Sequence, residues 1–210
     1  MLAPAMTPTS TETPAVTLHT VCGLEELSGH GTRGISHVLS LLDPGTPEPA
    51  AFAAYGAHHR TTLHFHDCLE AGAGLVPPEP ADIDRILAFG RDLDGAAHLL
   101  VHCHYGLSRS TAALLILFAS ADPEASADAL VSRLHALREP AWPNTRMTAF
   151  ADARLGRTDP LTPAVRRLHA RQLTARPHIA AMLREHGRGP EVDAALALSA
   201  GTAGTAAPPP

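Results

Sequence analysis

The stretch Val101-His102-Cys103-His104-Tyr105-Gly106-Leu107-Ser108-Arg109-Ser110 decides how this 210-residue chain is read. Before it stands an apolar run, His98-Leu99-Leu100-Val101, of strand length. After it, Thr111 to Ala119 is apolar but for its first residue and of helix length. A strand, a tight loop and a helix N-terminus in that order form an anion site, because backbone N–H groups converge there at the positive end of the helix dipole. Cys103 opens the loop and Arg109 closes it six residues on. Gly106, between them, accommodates a positive φ or a close backbone approach.

Those residue types suit phosphoryl transfer through a cysteine. Helix termini and nearby cations lower a cysteine pKa to roughly 3.5–7.5, so that the thiolate is present at neutral pH. The amides of His104, Tyr105, Gly106, Leu107, Ser108 and Arg109 would hold the equatorial oxygens of a phosphate. The Arg109 guanidinium would grip two of them at once. The Ser110 hydroxyl would lie near the sulfur and stabilise it as a leaving group. A bare C-x5-R is weak, but His102, Cys103, Gly106, Ser108, Arg109 and Ser110 spell H-C-x-x-G-x-S-R-S in a strand–loop–helix context. That pattern resembles the signature of the cysteine-dependent protein tyrosine phosphatases, above all the compact dual-specificity branch and its small bacterial relatives.

The resemblance extends outward over residues 17–155. It implies an aspartate general acid before the cysteine, and Leu63-His64-Phe65-His66-Asp67, thirty-six residues earlier, resembles that element. Pro143-Asn144 resembles the Pro-Asn segment that packs beside the family's active site. It further implies a phosphorylated protein as substrate, phosphotyrosine foremost with dual specificity open, and neither metal nor organic cofactor. The chain lacks a phosphotyrosine-recognition loop, and no lysine stands between Cys103 and Arg109 as in phosphoinositide-directed relatives. The helical region after 160 has no counterpart in the resemblance.

Four apolar runs predict strands at Val16–Val21, His37–Leu42, Thr61–His66 and His98–Cys103, separated by turn signals at 43–49 and 71–74. Helices are predicted from Pro80, from Ser108 to Ser120, after an Asp122-Pro123 N-cap pair, and through Met147, Phe150, Ala151 and Leu155 up to Gly156. Thr162-Pro163 opens a last helical stretch that Pro177 should split before Gly187. Strands alternating with helices imply an α/β fold with a mainly parallel sheet of about four strands. One phosphatase-like domain is expected over 16–190, between Ala/Thr/Pro/Gly-rich tails at 1–15 and 199–210 expected to be disordered.

Sixteen arginines and no lysine stand against twenty-one acidic residues, and the net charge of −5 argues against nucleic acid as the main partner. Three cysteines without C-x-x-C spacing oppose a disulfide scaffold or a structural zinc site. The longest apolar run, Ala112 to Ala119, is too short to cross a bilayer, and the first residues lack a secretory pattern, so the cytoplasm is the expected compartment. Two other readings of the same residues exist. His64 and His66, two apart on a strand, would share a face with Asp67 nearby, as in metal-dependent hydrolases. A silent phosphoprotein-binding module would keep the loop without chemistry. Asp82, Asp84, Asp92 and Asp94 rival Asp67 but lie on or after the helix near 80–91, where a solvated face explains them. His102 is expected to hydrogen-bond within the loop. Asn144 is expected to position loop backbone or to begin a helix. Cys68 is read as a small hydrophobe, with a resolving thiol as the alternative.

Overall fold

The computed structural model describes residues 18–72, 74–93 and 98–203. Within them four strands, β1 (Leu18–Cys22), β2 (His37–Leu42), β3 (His59–His64) and β4 (His98–His102), form one sheet in the order β1-β4-β2-β3. All three pairings are parallel. β2 and β4 occupy the centre and are buried nearly throughout, which is why both read as almost unbroken apolar runs. The edge strands keep polar and exposed residues. Parallel strands end on the same side, so Cys22, Leu42, His64 and His102 lie along one edge of the sheet. In α/β sheets of this kind, ligands bind outside the carboxyl ends, where the strand order reverses.

The helices are α1 (Pro80–Arg91), α2 (Arg109–Ala121), α3 (Ala127–Leu137), α4 (Thr145–Leu155), α5 (Leu161–Ala175), α6 (Ile179–Glu185) and α7 (Gly189–Ala203). α2 is apolar on every side, and its residues from Arg109 to Ala119 are buried. It joins Val21, Leu39, Leu41, Leu63, Leu99 and Val101 of the sheet to residues of α1, α3, α4 and α5 in one core. The opposite sheet face carries a smaller core of Cys22, Leu27, Ile35, Val38, Phe52 and Leu100. Trp142, Leu173, Leu183, Val192 and Ala195 form a third cluster among the C-terminal helices. Among the described residues no helix is long and apolar enough to cross a membrane.

The α/β class, the four strands and the parallel sheet agree with the sequence. Several boundaries do not. β3 begins and ends two residues earlier than expected, because its register is set by β2: His37 faces His59 and Leu42 faces His64. Beyond His64 no strand residue remains to pair with. The first strand extends to Cys22, and its predicted start at 16–17 lies outside the described residues, as do the tail 1–15, Asp94 and residues 204–210. Asp122 and Pro123 do not start α3. Asp122 closes α2 and accepts the Ala125 amide at 3.2 Å, while Ser126 caps α3 through the Ala129 amide. Gly156 closes α4 at φ 59°, and Pro177 separates α5 from α6. α7 runs to Ala203, into the stretch from 199 expected to be a disordered tail.

Candidate active site

The loop after β4 is held from outside through its carbonyls. Leu24 N donates to His104 O (2.9 Å) and Trp142 N to Leu107 O (2.7 Å). Arg138 donates to Tyr105 O and Gly106 O, both at 3.1 Å, and makes a two-pronged ion pair with Glu26 at 2.8 and 2.9 Å. Four consecutive carbonyls are therefore occupied, whereas among the described residues no acceptor takes the amides of 104 to 109. Gly106 adopts φ 67°, and a Cβ there would stand 2.6 Å from Gly23 N and 2.7 Å from Cys22 O. Only glycine lets the loop close down on the end of β1 in this way.

Cys103 begins the loop rather than ending the strand, and its Sγ lies 3.2 Å from Ser110 Oγ, both side chains buried. Arg109, 3% exposed, reaches under the loop. Its Nη1 donates to Asp43 Oδ1 (2.7 Å) and Phe65 O (2.5 Å), and its Nη2 lies 2.8 Å from His104 Nδ1. Its Nε is buried without a partner. A buried guanidinium needs a counter-charge, and Asp43 supplies it. Burial holds His104 below the usual histidine range, although Asp43 pulls it upward. The neutral ring leaves Nδ1 able to accept from Arg109.

Asp67 follows β3 by three residues, and its carboxylate is engaged on one oxygen only. Oδ1 accepts from Ser108 Oγ (2.8 Å), Asn144 Nδ2 (2.9 Å) and Arg188 Nη1 (2.7 Å), and Arg188 Nη1 also donates to Ser108 Oγ. Among the described residues no donor reaches Oδ2, and the side chain keeps 30% of its surface exposed. Burial pushes the carboxyl up. The Arg188 and Arg109 charges and the hydrogen bonds from Asn144 and Ser108 outweigh it, so Asp67 sits below the usual carboxylate range.

Cys103, Arg109, Ser110, Ser108, Asp67 and Asn144 thus come together. Asn144 begins α4, its Oδ1 accepting from Arg146 N and Met147 N, while its Nδ2 holds the Asp67 carboxylate rather than the backbone of the phosphate loop. As the last residue of β4, His102 bonds Ser40 Oγ of β2 at 2.6 Å. A backbone hydrogen bond at Cys103, the first residue of the loop, acts on the same ring. Tyr105 stands exposed at the loop's tip, its ring edge-on to His186.

The His64/His66 pair does not share a strand face. His66 lies beyond β3, and its Nδ1 accepts the Val76 amide at 2.9 Å. Among the described residues no three His, Cys, Asp or Glu side chains gather as metal ligands. Of the rival carboxylates, Asp82 completes a capping box with Glu79, Asp84 pairs with Arg154 at 2.9 Å, and Asp92 ends α1. Cys68 is buried, and burial together with Asp67 pushes its thiol up.

Two residues of this constellation were not singled out by sequence reasoning. Asp43 belongs to the turn signal at 43–49, and its place directly after a central parallel strand puts it on the same edge as Cys103. Arg188 carries no local signal, being 121 positions from its Asp67 partner.

No protein-family model matches the chain, and no curated protein sequence does. Solved structures do. A point variant of human DUSP28 shares 14% identity, covering 69% of this chain and 99% of that one, with a TM-score of 0.50. The PTP-2 phosphatase of Cydia pomonella shares 15%, covering 67% of this chain and 90% of its own, again at 0.50. The likeness is one of fold: this chain has the α/β architecture of the dual-specificity and tyrosine phosphatases, with about a third of its length outside it.

Proposed function

We propose that this protein hydrolyses phosphate monoesters through a phosphocysteine intermediate, with phosphorylated protein, phosphotyrosine foremost, as substrate. The observation that carries the reading is the pairing of Cys103 Sγ with Ser110 Oγ in a loop whose amides have no acceptor among the described residues and whose arginine is buried beneath it. The Cys103 thiolate attacks phosphorus in line, and the bond to the ester oxygen breaks. The loop amides and Arg109 hold the three equatorial oxygens, where charge is best stabilised by donors already in place. Arg109 exchanges Asp43 for phosphate, and its unpartnered Nε gains an acceptor.

Asp67 gives its proton to the leaving oxygen from Oδ2, the oxygen no donor occupies. In the free site the carboxyl is ionised. A phosphate dianion beside a thiolate reverses that balance, since like charges nearby favour the protonated form. Asp67 then serves as general base toward water, and Ser110 Oγ donates to the sulfur as the S–P bond breaks.

Two variants test this. Cys103→Ser should abolish turnover of aryl phosphates while retaining binding of inorganic phosphate or vanadate. Asp67→Asn should lower kcat on phosphotyrosine peptides by roughly 10²–10⁴-fold and much less on a nitrophenyl ester, whose leaving group needs no proton. Turnover by Cys103→Ser at the wild-type rate would overturn the mechanism. Phosphoserine, phosphosugar and phosphoinositide substrates run in parallel would set the specificity.

A further inference from the structure

Building on that reading, we propose that Arg188 is a positioning residue for the reaction: from the α6–α7 junction it ties Asp67 to the phosphate loop, so that the C-terminal helices form part of the active site. Arg188 is 2% exposed and lies in a region with no part in the sequence resemblance. Its Nη1 touches Asp67 Oδ1 and Ser108 Oγ at once, one the proposed acid and the other a loop residue. That single nitrogen fixes the distance between the group that protonates and the loop that binds. With Asn144 and Ser108 it occupies Oδ1 fully and leaves Oδ2 as the oxygen available to a substrate.

The guanidinium is itself held from behind. Nη2 donates to Glu191 Oε2 at 2.6 Å, which also accepts from Trp142 Nε1. Glu191 Oε1 takes the amide and hydroxyl of Thr145, next to Asn144. Trp142 N in turn donates to Leu107 O. The chain of contacts therefore starts at the loop, passes through Asp67, Arg188 and Glu191, and returns to the loop.

A purely structural role explains this poorly. Burying a charged group is costly, and apolar replacements of buried ion pairs are often neutral or stabilising. The C-terminal helices already have an apolar core in Trp142, Leu173, Leu183, Val192 and Ala195. What a cation at this place does that a leucine could not is orient a carboxylate and hold it ionised between turnovers. The charged and titratable groups around Asp67 are Arg188, Arg109, His104 and Cys68, with Glu191 behind Arg188. Removing Arg188 takes away the cation in direct contact with the carboxylate.

The test compares Arg188→Met and Arg188→Lys with wild type in the full chain, following kcat/KM against pH and kcat against leaving-group pKa. In Arg188→Met the alkaline limb, which reports loss of the Asp67 proton, should move up by about one pH unit or more. Its kcat on a phenol ester should fall about 10²-fold, with little loss on a dinitrophenyl ester. Arg188→Lys keeps the charge but loses the fork, so its limb should stay near wild type while kcat on the phenol ester falls about tenfold. Should the methionine variant fail to fold, the lysine variant decides through its leaving-group dependence. Variants with lowered Tm but an unmoved limb and unchanged leaving-group dependence would overturn the proposal and leave the phosphatase reading standing. A wild-type protein without Cys103-dependent turnover would remove that reading, and with it any acid to position.

Discussion

Gly106→Ala should disable the active site far beyond its cost to folding, and Gly156→Ala is the control that separates the two effects. Both glycines sit in the left-handed region, at φ 67° and 59°. An L-residue there costs roughly 1–2 kcal/mol. At Gly156, which closes α4, nothing lies within 4 Å of an added Cβ, so that strain is the whole penalty. A domain of this size loses about 2–4 °C of Tm per kcal/mol, so Gly156→Ala should melt roughly 2–8 °C lower with unchanged kcat/KM. At Gly106 the added methyl runs into one peptide group, that of Cys22 and Gly23, meeting its carbon, oxygen and nitrogen. No side chain can rotate away, so the loop must lift off the end of β1. The lift would break the outside bonds from Leu24 and Arg138 to the loop carbonyls and turn the amides of 104–109 out of convergence. Misplacing a reacting geometry by about 1 Å costs about 10²-fold in rate. Gly106→Ala should therefore lose at least that much kcat/KM on an aryl phosphate, melt below Gly156→Ala, and bind vanadate weakly. Wild-type kcat/KM in Gly106→Ala, or a Tm equal to that of Gly156→Ala, would refute the placement of this loop.

Ser110→Ala removes the hydroxyl 3.2 Å from Cys103 Sγ. Breakdown of the phosphocysteine should then become rate-limiting, seen in stopped flow as a burst of phenol near one equivalent followed by a slow steady state; a linear trace at the wild-type rate would count against the serine's role. A second expectation concerns pH and stability. His102 is fully buried, and burial drives its pKa down from the ordinary 6.5 to about 4. Between those values the unfolded chain binds a proton that the folded one does not, so stability is full above pH 6.5 and falls as pH drops toward 4. A shift of this size corresponds to about 3 kcal/mol. His102→Gln should flatten the decline of Tm over this window, leaving the parts that His169, His104 and His30, shifted in the same direction, contribute. An unchanged slope would show that His102 is protonated in the fold.

What the sequence made legible was local. The loop from Cys103 to Ser110 is contiguous, so its residue types and spacing declare its conformation and point to the chemistry proposed for it. β2 and β4 were legible because a central parallel strand must be apolar on both faces. β3 was displaced by two residues because the bounds of an edge strand are set by its neighbour's register, which no window along the chain contains. Asp122 misled for a similar reason: an aspartate followed by proline suits a helix start, yet here it serves as the turn between two helices. The Asp67 environment was legible only in part. Ser108 belongs to the loop motif, and Asn144 could be singled out because it stands beside a proline before a helix. Arg188 and Glu191 could not, because a buried ion pair between distant segments has no periodicity and no motif.

The site is balanced by charge as well as built by shape. Each of the two buried guanidiniums has its own carboxylate in the free protein: Arg109 with Asp43, Arg188 with Asp67 and Glu191. A phosphate entering the loop adds about two negative charges where one cation is already matched. Arg109 can turn from Asp43, which at 38% exposure is the more readily hydrated once released. Arg188 is enclosed by its partners and is not free to turn. On the proposed mechanism the two arginines divide the work: one moves its charge to the substrate, the other stays and keeps the acid in place. The arriving charge is then relieved at Asp67, whose Oδ2 no donor among the described residues reaches, by taking up the proton that the leaving group needs. On this account the fixed arginine must hold Asp67 weakly enough for that proton to arrive. The second carboxylate on Arg188 has this effect: Glu191 shares the cation and so moderates its hold on Asp67.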